Sequence, residues 1–266
     1  MSIAPDAPAS TASLGARVLC GVDGSAEGLE AARQAGRLVS PYGSLTLLGA
    51  FNAASAAQAG FLASNAAAEL EEQARAAISE AVAVIGFTPE TRLIDAEPLQ
   101  ALEAEAARLD ATLVVVGTHE LPRGLGIMLA SVATTSVHVL ARATLIARAS
   151  SASSTRFPRS IAVGEDGSPP STHAREVAGA VAERFDVPFR RVVCMGGDPD
   201  LDAVRQVAGP VEILDGKPLQ ELVRISHEVD LLVVGASGRA GLRALGSVSE
   251  RLAHKASCSV LVVPQR

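Results

Sequence analysis

The sequence predicts an α/β protein of two doubly wound domains, each built on its own parallel sheet. Three observations predict it. The chain carries an internal repeat, short β-branched runs alternate with longer alanine-rich segments in each copy, and one Asp-Gly-Ser turn follows the first run of both. "RVLCGVDGS" (17–25) matches "SIAVGEDGS" (160–168), and "LIDAEPLQAL" (93–102) matches "ILDGKPLQEL" (213–222). "LDATLVVVG" (109–117) matches "VDLLVVG" (229–235), and "ASVATTSVHVLARATLIA" (130–147) matches "GSVSERLAHKASCSVLVV" (246–263). Four matches in one order at similar spacing describe a tandem pair better than chance does.

Residues 1–15, "MSIAPDAPASTASLG", lack the basic start and apolar centre of a secretory signal and read as a flexible tail. The first domain spans 16–150, with apolar runs at 17–22, 44–50, 91–94, 112–116 and 143–147. Between them, "AAAELEEQARAAISEAVAVIG" (66–86) repeats apolar residues every three or four positions, the period of a helix with one packed face. Runs that are apolar on both faces suit parallel strands buried between helix layers, joined by right-handed crossovers. The serine-rich "SASSTRFP" (151–158) is a linker, and the second domain spans 159–266. Ligands of such sheets sit at the carboxyl ends of strands, where the strand order reverses. The loops after the first and fourth runs are therefore the candidates.

Composition narrows the function classes. The 266 residues suffice for two domains with their own cores. A formal net charge of −6 argues against a surface for nucleic acid or anionic lipid. Aromatic residues make up 3%, too few for the stacking platforms of single-stranded nucleic acid. No apolar run approaches the roughly 20 residues that cross a bilayer. Cys20, Cys194 and Cys258 fit neither a zinc site nor a disulfide framework, and read as buried, reduced thiols of a cytoplasmic protein.

After the first run stand "VDGS" (22–25) and "EDGS" (165–168). Asp23 and Asp166 fall where a strand hands over to a helix, so each can cap that helix or accept hydrogen bonds from a ribose or an adenine amino group. After the fourth run of the second copy stands "VVGASGRAGLRALGSVSE". Gly235 and Gly238 let a backbone approach a ligand, and Gly246 with Ser247 opens a helix whose N–H groups favour an anion. Ser249 adds a hydroxyl, and Arg239 and Arg243 add positive charge. The pattern is neither a P-loop nor a dinucleotide fingerprint. Spacing alone leaves phosphate grip and tight turn equally open.

"VGEDGS", "VVGASGRAG" and "GSVSERLAHKASCSVLVV" together resemble the universal stress protein family in its tandem form, from about 16 to 148 and from 159 to 264. The resemblance implies Rossmann-like, five-stranded parallel sheets of the adenine nucleotide alpha hydrolase-like kind, arranged as a pseudo-dimer. The family divides into ATP-binding and non-binding types, and the binding type is marked by glycine, two residues, glycine, nine residues, then glycine and serine or threonine. Carried onto this chain, it places Gly164, Glu165 and Asp166 near the adenosine and Met195 beside the adenine. Val234, Gly235, Gly238, Arg239, Gly246 and Ser247 surround ribose and phosphates, with Val248 and Ser249 continuing the grip. Seven residues, not nine, separate Gly238 from Gly246. In the first copy Glu120 and Ala130 replace the second and third glycines, while Gly117 and Ser131 remain. A carboxylate about 4 Å from a triphosphate repels it by roughly 1–4 kcal/mol, so the second domain is expected to be the better site. Asp23, Ala50, Gly117 and Ser131 form the weaker first-domain set.

The histidines do not cluster: His138 and His254 lie about two turns, roughly 10 Å, past Ser131 and Ser247. A metal held by His254 and Cys258 needs a helix that "KASCS" brings to an end. No catalytic residue and no metal site is assigned. The family resemblance puts runs 143–147 and 259–263 at sheet edges, and an apolar edge must be paired or covered. The expectation is that the two copies pair there within one chain, with a further homodimer left open. The expected function is stress-response regulation through an adenine nucleotide, ATP with or without Mg2+, with slow or no hydrolysis. AMP or a cyclic nucleotide is an alternative ligand. The alternative function is an interaction module that acts through protein contacts without nucleotide.

Overall fold

Val18 and Cys20 point to one side of the first strand and Leu19 to the other, and all three are buried. A strand of this kind needs a helix layer on each face, and the structure supplies both. The structure is a computed structural model and describes residues 14–54, 63–118, 142–149, 156–236 and 247–265. The first half runs β1 (Arg17–Val22), α1 (Ala26–Leu38), β2 (Ser44–Phe51), α2 (Ala63–Ile85), β3 (Glu90–Asp95), α3 (Pro98–Arg108), β4 (Leu113–Gly117) and β5 (Ala143–Ala147). The second runs β6 (Ile161–Glu165), α4 (Pro169–Phe185), β7 (Phe189–Cys194), α5 (Leu201–Arg205), β8 (Glu212–Leu214), α6 (Pro218–Ile225), β9 (Leu231–Gly235), α7 (Ser247–Lys255) and β10 (Ser259–Val263).

The ten strands form one sheet in the order β3-β2-β1-β4-β5-β10-β9-β6-β7-β8. Counted within its own half, each copy reads third, second, first, fourth, fifth. Pairing is parallel inside both halves, and the strand order reverses between β1 and β4 and again between β6 and β9. The β5–β10 pair is antiparallel, with Leu145 opposite Leu261 and Ile146 opposite Val260. All four side chains are fully buried.

Two apolar layers sandwich this sheet. One joins α1, α2 and α4 through residues such as Ala31, Ile78 and Val177. The other joins α3, α6 and α7 through Leu102, Ile225 and Leu252. Each layer contains residues from both halves, so the core continues across the β5–β10 seam. Each fully buried aliphatic side chain contributes roughly 1.5–3 kcal/mol, which makes this core the main source of stability.

The halves differ in one crossover. Between β2 and β3 the chain builds α2, a helix of 23 residues. Between β7 and β8 it builds α5, of five. The face that α2 covers in the first half is closed in the second by a shorter segment and a buried ion pair.

Candidate functional site

The site grows from the turn after β6. Gly167, at φ +81, permits the reversal there, as Gly24, at φ +79, does after β1. Ser168 is the N-cap of α4, its Oγ accepting from the Ser171 N–H. Asp166 Oδ1 in turn accepts from the Ser168 N–H at 2.9 Å and from the Ser168 hydroxyl. The first half repeats this: Ser25 caps α1 by accepting from the Gly28 N–H at 2.9 Å, and Asp23 Oδ1 accepts from both donors of Ser25. Of the two roles read for Asp23 and Asp166, helix capping thus belongs to the serines, and the aspartates brace the cap.

Pro169 and Pro170 occupy the first two positions of α4 and have no N–H to offer, and the Ser171 N–H is used by the cap. The first turn of α4 is therefore closed to an anion. That of α7 is not built this way: it starts with Ser247, Val248 and Ser249, which all carry N–H groups at the positive end of the helix.

Gly235 ends β9 against the start of α4. A Cβ there would lie 2.6 Å from the Pro170 carbonyl carbon and 2.8 Å from the Ser171 nitrogen. Gly117 meets α1 in the same way, 2.6 Å from the Glu27 carbonyl carbon and 2.8 Å from the Gly28 nitrogen. Both glycines let a helix start pack on a strand end, and the space where a side chain would stand is filled by backbone.

These elements enclose a cleft of about 200 Å³ at the carboxyl ends of β6 and β9. Gly164, Val192, Cys194, Leu222 and Val234 give it an apolar lining, while Asp166, Ser168, Pro170 and Ser171 contribute the α4 side. Val248 and Ser249 bring in the first turn of α7, and Glu165, Gly197, Pro218 and Gly235 complete the lining. The Glu165 carboxylate is engaged by Arg191, whose Nε donates to Oε1 at 2.7 Å and Nη2 to Oε2 at 3.0 Å. Burial pushes the Cys194 thiol up to about 11, so it is no nucleophile near neutral pH. Burial likewise pushes Cys258 up to about 12 and raises Cys20, and all three cysteines are free and buried.

Of the residues singled out in the second half, Gly164, Glu165, Asp166, Val234, Gly235, Val248 and Ser249 line this one cleft. Met195 starts a 3-10 turn after β7 and is 38% exposed, while Gly197 of the same turn reaches the lining. Ser247 opens α7. Gly238, Arg239 and Gly246 lie outside the described residues, as do Arg243 and, in the first half, Glu120, Ala130 and Ser131. Asp23, Ala50 and Gly117 stand at the ends of β1, β2 and β4, as their counterparts do in the second half. Sequence reasoning missed Pro170, Ser171, Val192, Cys194, Gly197, Pro218 and Leu222. Pro218 and Leu222 belong to the repeated "KPLQEL", whose position after the third strand was the available signal. Among the described residues no group of three His, Cys, Asp or Glu side chains is placed to hold a metal ion. No described helix is long and apolar enough to cross a membrane.

The profile of the universal stress protein family matches residues 16–148 and 200–264, well over half of the chain. A universal stress protein of Methanocaldococcus jannaschii is 45% identical over 56 residues, 20% of this chain and 33% of that protein. One of Mycobacterium tuberculosis (strain H37Rv) is 38% identical over 63 residues, 23% of this chain and 21% of its own. The matched stretches thus span a third or less of these relatives' length. Among solved structures, a universal stress protein from Archaeoglobus fulgidus is similar over 94% of this chain and 96% of its own, with TM-score 0.71 and 17% identity. A functionally unknown protein from Pseudomonas aeruginosa is similar over 97% and 95%, with TM-score 0.65 and 14% identity. At these identities both similarities speak for the fold.

Proposed function

This chain belongs to the universal stress protein family, and from that premise we propose that its second half binds an adenine nucleotide, ATP first, to regulate a stress response. One observation carries the reading. The cleft lies where the strand order reverses between β6 and β9, and it joins Asp166 to the first turn of α7. An apolar lining suits a base, and a helix start, with its N–H groups at the positive end of the helix, suits a phosphate. The sequence leads Gly238, Arg239, Arg243 and Gly246 into that helix start. In this reading residues 1–15 are a tail, 16–150 and 159–266 are domains and 151–158 links them, in a cytoplasmic protein. The β5–β10 seam is the joint of the pseudo-dimer. Hydrolysis is slow or absent, because Asp166 Oδ1 is taken up by Ser168 and is poorly placed as a general base.

A second reading, an interaction module without nucleotide, is favoured by a different observation. Gly235 is occupied by α4 packing and the α4 start is closed by prolines, so two features that suggest a ligand serve the fold instead.

Calorimetric titration with ATP and Mg2+ separates the two readings, with AMP and a cyclic nucleotide as competitors. The expected result is about one ATP per chain, weakened at least tenfold by Gly238→Glu, which copies Glu120 into the second half. No binding by nucleotide-free parent protein overturns the nucleotide reading. Light scattering on the same sample distinguishes a single chain from a homodimer.

A further inference from the structure

In the first half, Val22 at the end of β1 and Leu47 on β2 are buried apolar residues on the α1–α2 side of the sheet. The repeat and the strand registers put Glu165 and Arg191 at the same two positions of the second half. Side chains alternate along a strand, so Glu165 shares its face with Ile161 and Val163 and points away from the apolar cleft lining. Its carboxylate and the Arg191 guanidinium are 4% and 5% exposed, paired through two hydrogen bonds. Arg175 of α4 is the second cation, 3.9 Å from Oε2.

Arg191 does more than neutralise Glu165. Its Nη2 donates to the Val204 carbonyl at 3.0 Å and its Nη1 to the Val207 carbonyl at 3.0 Å. These carbonyls belong to α5 and the turn after it, the segment that replaces α2. The same segment holds the ligand loop from the other side. Asp200 N–H donates to the Asp166 carbonyl at 2.9 Å, and a Cβ on Gly167 would lie 2.5 Å from the Asp200 carbonyl oxygen. Arg191 thus fastens to strand β7 the segment against which the Asp166 loop rests, and it grips the residue next to Asp166 directly.

We propose that Arg191, with Glu165, is a positioning residue of the second-half site: it holds the Asp166–Ser168 loop in its binding shape by tying it to the 200–207 segment. The proposal rests on the nucleotide reading for its effect on affinity, but its effect on the loop stands without it. Fixing a loop in advance lowers the ordering that binding must supply, which is how a residue outside the cleft raises affinity. It also explains why the half that keeps α2 has no such pair: a 23-residue helix already covers that face.

The test is the double variant Glu165→Val/Arg191→Leu, which installs the first half's own apolar pair. Exchanging both members for apolar residues avoids leaving Glu165 or Arg191 as a lone buried charge, and Arg175, whose side chain is 18% exposed, can turn to solvent. Two quantities are read: amide hydrogen exchange at Ser168 and Asp200, and binding of a fluorescent ATP analogue. The expected result is a near-parental melting temperature with exchange at both amides at least tenfold faster and affinity at least tenfold weaker. Parental exchange and parental affinity overturn the proposal. If the double variant does not fold, Arg191→Lys gives the same decision, because lysine keeps the charge but not the fork that reaches both Glu165 and the carbonyls. If the parent binds no ATP analogue, the nucleotide reading fails, and exchange at Ser168 and Asp200 still decides the role of Arg191.

Discussion

Ser259 Oγ donates to Gln34 Oε1 at 2.8 Å, fastening β10 of the second half to α1 of the first where solvent reaches neither side chain. Gln34 Nε2 donates to the Arg148 carbonyl at 3.0 Å, and the Arg148 N–H returns to Ser259 Oγ at 3.0 Å. Arg148 Nη2 donates to the Ala253 carbonyl of α7 at 2.6 Å. On the same side of the sheet as α1, Arg184 of α4 donates to the carbonyls of Leu38 and Val39 at the α1 C-terminus, at 2.7 and 2.6 Å. A slip of one residue in the β5–β10 pairing would strand several of these buried groups, so the polar cluster specifies the register that the apolar pairs alone would not.

Gln34→Leu removes the acceptor of the Ser259 hydroxyl and the donor to the Arg148 carbonyl, and leaves these two groups only the longer hydrogen bond between them, at 3.3 Å. Each such group costs about 1–3 kcal/mol. Urea unfolding should show a loss of about 2 kcal/mol, with the m-value unchanged if the halves still unfold together. A variant as stable as the parent would show that the cluster is replaced by other partners.

Leu261 faces Leu145 across the seam and is fully buried. Leu261→Lys both removes packing and brings a charge into an apolar layer, so a loss of about 3–5 kcal/mol is expected in urea unfolding. A second, earlier transition should accompany it as the halves lose their shared core. Unchanged stability would mean that the β5–β10 pair is not what joins the halves.

The central strands and the long helices were legible because runs apolar on both faces and runs of helical period bury the same residues in nearly any packing; the run 91–94, read as buried, instead lies in β3 at the sheet edge and is exposed or half-buried. The repeat extended that reading to the second half, where β6, β9 and β10 fall on the segments that matched β1, β4 and β5. The shortened crossover was less legible, since no repeat match covers it and α5 is too short for a periodic signal. Glu165 read as a site residue because it precedes Asp166; that its carboxylate turns to Arg191, 26 positions on, depends on strand register, which sequence spacing does not carry. Gly235 read as a place for a ligand to approach, because a glycine left free for a ligand and one packed by a helix look alike in sequence.

That last distinction gives a further prediction. In Gly235→Ala the new methyl meets backbone of Pro170 and Ser171, which cannot rotate away, so the protein should lose about 2–3 kcal/mol in thermal or urea unfolding. In Gly164→Ala the methyl meets Leu222 Cδ1 at 3.1 Å, the end of a side chain that can shift. Stability should fall by less than about 1 kcal/mol there, while a smaller cleft weakens whatever occupies it. Equal losses in the two variants would contradict the packing role assigned to Gly235.

Glu105 of α3 supplies a pH-dependent term. Its side chain is 3% exposed, and it accepts from Arg108 Nε at 2.8 Å and Nη2 at 2.6 Å, with Arg92 Nε 3.3 Å away. The Arg108 hydrogen bonds, outweighing burial and helped by the charges of Arg108 and Arg92, hold its carboxyl below the ordinary value of 4.5. A carboxyl lowered in the folded state binds protons less readily there than in the unfolded chain, so its contribution is complete above the ordinary value and is lost as pH falls through the folded one. Glu105→Gln should therefore be less stable than the parent near pH 7, by about 1–2 kcal/mol. The gap should narrow as pH drops below the ordinary value of 4.5 and close as it falls through the lower folded one, where the parent's own carboxyl takes up its proton. Urea midpoints of both proteins between about pH 7 and pH 3 measure this directly. A gap that stays constant over that range would assign the loss to packing and not to the charge of Glu105.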